Sequence, residues 1–201
     1  QDLGFSDAVF GLGAGLFFLG YFISDVPSNI ILQKVGPRIW LARILLSWSV
    51  ITWFMMHVET VTEFYVIRFL LGVAEAGSFS GIILYLSTWF PIKKRAQVIA
   101  LFMAAAPLSS MIGSPLAGTI LSMHGAFGLK GWQLMFLICT VLAGIVGVFT
   151  LFYVNDRPEK NKWLTKEETT WLIDTLAAER QSQSAGVKTS IWKGLTDIRV
   201  L

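Results

Sequence analysis

The chain has 201 residues, 54% of them hydrophobic and only 14% charged, with a formal net charge of +3. Soluble domains carry about 25% charged residues, so this composition, with a mean hydropathy of +0.63, excludes an ordinary soluble domain and points to several membrane spans. The lone cysteine, Cys139, excludes an internal disulfide or a cysteine metal cluster, and the isolated His57 and His124 give no metal-ligand pattern.

Residues 1–7 are polar and acidic, without the basic start of a signal peptide. The missing initial Met and the ending in mid-pattern are expected of an internal portion of a longer protein. A first span is predicted over residues 8–32, with Asp25 as its internal charge and Gly11 and Gly15 as a small-residue pair suited to close helix packing. Its GLGAGL string is not a dinucleotide fingerprint, because it lies inside a span rather than after a strand. Gly36-Pro37 marks a tight turn between Lys34 and Arg38, and a second span follows over 39–57, with Arg43 one turn inside and able to snorkel.

The third predicted span, 64–91, reads FYVIRFLLGVAEAGSFSGIILYLSTWFP. It carries Arg68 and Glu75 well inside the apolar run. Seven residues of helix is close to two turns, so the pair shares one face, roughly 10 Å apart along the axis. A charge near the membrane centre costs about 2.5–3.5 kcal/mol on insertion scales, so two on one stripe demand a use or a partner. Small residues spaced by four, Gly72-Ala76-Ser80 and Gly77-Gly81, predict tight packing on two neighbours.

After the turn PIKKRA, a fourth span over 96–123 contains Pro107, Gly113, Pro115 and Gly118, which allow it to bend. A glycine-rich loop, HGAFGLKG, leads to a fifth span over 132–153. Beyond it the chain turns polar. Thr165 and Glu168 form a predicted capping box, opening an amphipathic helix to about residue 180 with Trp171, Leu172 and Leu176 on one face. QSQSAGVKTS is a flexible linker. Two units follow: residues 1–154, all-α and polytopic with five transmembrane helices, and 155–201, polar with a surface helix.

The basic residues divide by side. Lys34, Arg38, Lys93, Lys94, Arg95, Arg157, Lys160, Lys162 and Lys166 fall on one side of the predicted spans, and only Lys130 on the other, where Asp2, Asp7, Glu59 and Glu63 lie. The positive-inside rule then sets residue 1 outside and residue 201 in the cytoplasm.

Four stretches occur in a telling order: FISDVPSNIILQKVGPR, RFLLGVAEAGSFSGIILYLSTWFP, GSPLAG and NDRPEKNKWLTKEE. Together they resemble the anion:cation symporter branch of the major facilitator superfamily, over essentially the whole chain. The resemblance implies helices two to six of an N-terminal six-helix half, then the cytoplasmic loop between halves. It implies a proton-linked carrier of an organic anion in a bacterial inner membrane, such as a sugar acid of the rhamnonate type, tartrate or an aromatic acid. It implies no cofactor and no nucleic acid, with partners limited to the anion, protons, lipid and the rest of its own chain. The superfamily's loop motif is kept at Gly36 and Arg38 and altered elsewhere: Asn29 replaces a glycine, Gln33 the aspartate, Lys34 an arginine and Pro37 another arginine.

The candidate site follows from residue types at these positions. Arg68 offers a planar fork that suits a carboxylate, and the alternative is a structural ion pair with an acid on a helix outside this chain. Glu75 is the candidate proton carrier, since a carboxylate taken from water titrates according to its surroundings, and the alternative is a static partner of an arginine. Phe79 is a candidate cavity-lining aromatic, as are, more weakly, Tyr21 and Asn29. Asp25, Lys34, Gly36 and Arg38 read as gate or loop elements, and Gly113, Pro115 and Gly118 as bending elements. Two rival classes remain: a channel or structural multispan subunit, and a membrane enzyme, for which no nucleophile–base set is present.

Overall fold

The computed structural model describes residues 4–123, 125–161 and 163–184. His124, Lys162, residues 1–3 and the linker and final segment over 185–201 lie outside the described residues. Among the described residues every regular element is helical: α1 (Asp7–Val35), α2 (Pro37–Met55), α3 (Val61–Glu75), α4 (Ser78–Trp89), α5 (Ile92–Ser122), α6 (Gly131–Tyr153) and α7 (Lys166–Ser184). Five stretches are long and apolar enough to cross a membrane, with α3 and α4 together forming one of them, Val61–Trp89.

Local sequence explains the boundaries. Ser6 caps α1, its hydroxyl accepting from the Val9 amide at 3.4 Å. Gly36, with φ of 93°, turns the chain, and Pro37 opens α2 at a position where its missing N–H is no loss. Thr60 and Glu63 close a capping box at the start of α3. Lys93, Lys94 and Arg95, expected in a turn, instead occupy the first turn of α5, behind Pro91 as N-cap. α5 then runs as one helix through both Pro107 and Pro115.

α1 packs chiefly on α3, and α2 on α6. The predicted Gly11–Gly15 pair does not make the α1 contact: a Cβ on either would meet open space. The opposite face does, with Gly20 against the Phe69 carbonyl and Gly72 of α3 against the Phe17 carbonyl. A side chain at Gly72 would strike backbone, so these two helices approach as closely as backbones allow. On the α2–α6 side, Ser49 Oγ donates to the Thr140 carbonyl at 2.8 Å. One end of the bundle is closed by Met55, Val58 and Phe64, packed with Phe5, Val9 and Phe136. α5 buries none of its residues, and Gly113 and Gly118 face open space within this chain.

At the other, basic end, loops and helix ends are joined by hydrogen bonds. The Arg38 amide donates to Asp156 Oδ1 at 2.8 Å, and the Arg38 guanidinium donates to the Leu151 carbonyl through Nε at 2.7 Å and also through Nη2. Trp89 Nε1 donates to the Asn155 carbonyl at 3.1 Å. α7 docks here through buried Leu172 and Leu176, while Trp171 faces away, 64% exposed, against the single face expected. The Glu179 carboxylate of α7 accepts from the Ile92 amide at 3.0 and 3.1 Å, capping the start of α5.

Candidate functional site

The third span is not one helix. α3 stops at Glu75, Ala76 takes φ −56° and ψ 135°, Gly77 takes φ 78° and ψ 6°, and α4 restarts at Ser78. Alanine, glycine and serine do not by themselves force a break in a membrane helix, which is why the sequence predicts continuity. The cause is tertiary. Ser28 Oγ of α1 donates to the Ala76 carbonyl at 2.5 Å, and the Gly77 amide donates to Asp25 Oδ1 at 3.1 Å. Trp40 Nε1 of α2 donates to Ser28 Oγ at 3.1 Å, and Asn29 Nδ2 donates to Asp25 Oδ2 at 3.3 Å. Only glycine suits position 77, both for its positive φ and because a Cβ there would sit 2.5 Å from Ser28 Oγ.

Arg68 and Glu75 both lie in α3, so their shared stripe survives, and it ends at the break. Arg68 is half-buried, its guanidinium 5.2 Å from the centroid of the Phe64 ring and its Nε without a partner. Glu75 is half-buried, and among the described residues it forms no ion pair or hydrogen bond. The two are therefore not paired with each other. Tyr21 of α1 lies beside Ser78, close enough to Asp25 and Glu75 to feel both charges. Each span charge is thus held in a partly desolvated place, with capacity left for a ligand: donors on Arg68, an acceptor or a proton on Glu75.

Phe79 falls beyond the break, so it no longer continues the Arg68 stripe by helical register. It is 47% exposed, stands 6.4 Å from the Phe102 ring of α5, and lines a groove of about 420 Å³ with Asn29, Gln33, Ser80 and Ser87. Asn29 Oδ1 is buried without a partner beside this groove. Asp25 sits at the break, and Gly36 and Arg38 at the basic-end joint with Asp156, while Lys34 is exposed. Gly113, Pro115 and Gly118 are remote from these groups on the open helix α5. The residues that sequence reasoning missed are Ser28, Trp40 and Asp156. The one available signal was NDRPE directly after a span, an acid among cations, where the altered loop motif lacks its own.

Outside the spans, α7 opens as predicted. The Thr165 amide donates to Glu168 Oε2 at 2.9 Å, and the Glu168 amide donates back to Thr165 Oγ1 at 3.3 Å. The Thr165 amide, aided by its hydroxyl, holds the Glu168 carboxyl below its ordinary range.

Comparison with known proteins agrees with this architecture. The Major Facilitator Superfamily description matches residues 1–200. A protein of Agrobacterium vitis named for tartrate transport is 58% identical over the whole chain, which spans 44% of that protein. The metabolite transport protein NicT of Pseudomonas putida is 42% identical over the whole chain, spanning 46% of it. The inner membrane transport protein RhmT of Escherichia coli is 43% identical over 90% of the chain, covering 42% of it. The chain thus spans under half the length of these relatives. Among solved structures, a bacterial homolog of the human lysosomal transporter Spinster, inward-facing and unoccupied, superposes with a TM-score of 0.71 at 19% identity, over 82% of this chain and 39% of that one. That likeness is one of fold. Five apolar spans and these bacterial relatives make the chain an integral membrane protein of the inner-membrane kind. By family match, identity and fold together, the chain belongs to the Major Facilitator Superfamily.

Proposed function

We propose that the intact protein is a proton-coupled symporter of a small organic anion, working by alternating access around a site near the membrane midplane. Arg68 binds the substrate carboxylate, Glu75 carries the proton and Phe79 lines the cavity. Residues 1–154 supply helices two to six of the first half, and the segment over 155–201 links to the second. The basic end faces the cytoplasm, where Lys34, Gly36 and Arg38 form part of the gate, and Gly113, Pro115 and Gly118 let α5 bend during the switch.

The observation that carries this reading is the pair of unpaired span charges. A half-buried guanidinium with a buried, unpartnered Nε and a half-buried carboxylate share one stripe of α3 without neutralising each other. Within this chain neither charge closes the other, so the Arg68 guanidinium is open to an anion. The relatives named for tartrate transport favour a hydroxylated dicarboxylate among the anions to try first.

The direct test is binding of tartrate and a panel of sugar acids to the purified intact protein by calorimetry. A charge-assisted bond to a carboxylate is worth about 1.5–3 kcal/mol. Arg68→Ala is therefore expected to weaken binding roughly tenfold to a hundredfold, and Arg68→Lys to recover part of that loss. Wild-type affinity in Arg68→Ala would remove Arg68 from the site.

A further inference from the structure

A helix that crosses a bilayer has strong reason to remain continuous, because water is not at hand to satisfy broken backbone groups. The α3–α4 break therefore has to be held. Two of the backbone groups freed at the break, the Ala76 carbonyl and the Gly77 amide, are each taken by a side chain of α1, Ser28 Oγ at 2.5 Å and Asp25 Oδ1 at 3.1 Å. Asp25 Oδ2 is occupied by Asn29 and the Ser28 hydroxyl by Trp40. Both carboxylate oxygens thus face fixed donors, one of them the amide that begins α4, where a helix favours negative charge. Asp25 is placed as a fixed acceptor.

What the break positions is the residue before it. Glu75 is the last residue of α3, adjacent to the anchored Ala76. We propose that Asp25, together with Ser28, is a positioning residue for Glu75: the two hold the break in the third span and so fix where the Glu75 carboxyl is presented. The proposal rests on the reading of Glu75 as proton carrier and adds to it a second layer drawn from another helix. It also explains why the motifs around SDVPSN, GPRIW and AEAGS belong together, since each contributes to one knot of hydrogen bonds.

Among the described residues, the titratable groups near Glu75 begin with Arg68 on its own helix. α1 brings Tyr21 and Asp25. α2 brings Arg43, whose guanidinium lies over the Trp40 ring, 4.1 Å from its centroid. α4 opens with Ser78 and has its first titratable side chain at Tyr85, two turns on, and the cations of α5 are confined to its first turn.

The test is infrared titration of the intact transporter in lipid, following the protonated carboxyl band that disappears in Glu75→Gln. Asp25→Asn removes the neighbouring charge but keeps an acceptor for the Gly77 amide, whereas Asp25→Ala removes both. The Ala and Asn midpoints are expected to differ by about one pH unit, the size of a lost local interaction with a carboxyl. Ser28→Ala, which changes no charge, is expected to move the midpoint as well, and it keeps the question open to measurement if Asp25→Ala does not fold. Coincident midpoints for Asp25→Ala and Asp25→Asn, or a wild-type midpoint in Ser28→Ala, would overturn the positioning role while leaving Glu75 as carrier. A band that persists in Glu75→Gln would instead sink the carrier reading, and the positioning role with it.

Discussion

Gly77 concentrates the residue-scale physics of this protein. Its φ of 78° lies where an L side chain pays roughly 1–2 kcal/mol, and its Cβ position is already filled by Ser28 Oγ. Gly77→Ala is expected to destabilise the intact protein by about 1–3 kcal/mol, seen as a lower thermal midpoint in detergent. An unchanged midpoint would mean that the break is not a fixed feature. Arg68 and Glu75 were legible as residues because charge inside an apolar run is conspicuous. Ser28 and Trp40 were not: a serine and a tryptophan in a span have many ordinary uses, and only the fold brings them to one carbonyl.

At the scale of elements, the five spans were legible because length and hydropathy alone determine them, and each observed span lies within a few residues of its expected range. The break in 64–91 was hidden because Gly77 permits it but the side chains of α1 hold it. Gly11 and Gly15 have the small-residue spacing yet face open space within this chain, whereas the α1–α3 contact is made by Gly20 against Phe69 and by Gly72 against Phe17. α7 shows a cap that could be read locally, and its chemistry gives a pH prediction. Because the folded state lowers the Glu168 carboxyl below its unfolded range, the cap's contribution is present above the unfolded value. It is lost as pH falls through the lowered folded value. Hydrogen-exchange protection of the first turn of α7, corrected for intrinsic rates, is therefore expected to fall on acidification. It should stay level in Glu168→Gln, which keeps the box without titrating; parallel profiles would show that the cap is not the titrating element.

Across the whole molecule, one end is tied and the middle is left open. Asp156, Arg38, Asn155 and Trp89 join loops that are distant in sequence, and α7 closes over them with Leu172, Leu176 and Glu179. α5, by contrast, shows no buried residue, and the groove beside Phe79 is unfilled. Surfaces of this kind fit a chain that spans under half the length of its relatives. The class of fold was legible from composition and motif order, whereas the site was legible only as a pair of charges whose geometry waited on packing. The central claim is that Glu75 moves the proton that drives an anion bound at Arg68. It is tested by uptake of tartrate into vesicles carrying the intact protein, with an imposed inward proton gradient and, separately, with internal unlabelled substrate. Glu75→Gln is predicted to lose gradient-driven accumulation, about tenfold for each pH unit of imposed gradient because one coupled proton contributes about 1.4 kcal/mol per unit, while retaining exchange. Accumulation at the wild-type level in Glu75→Gln would contradict the account.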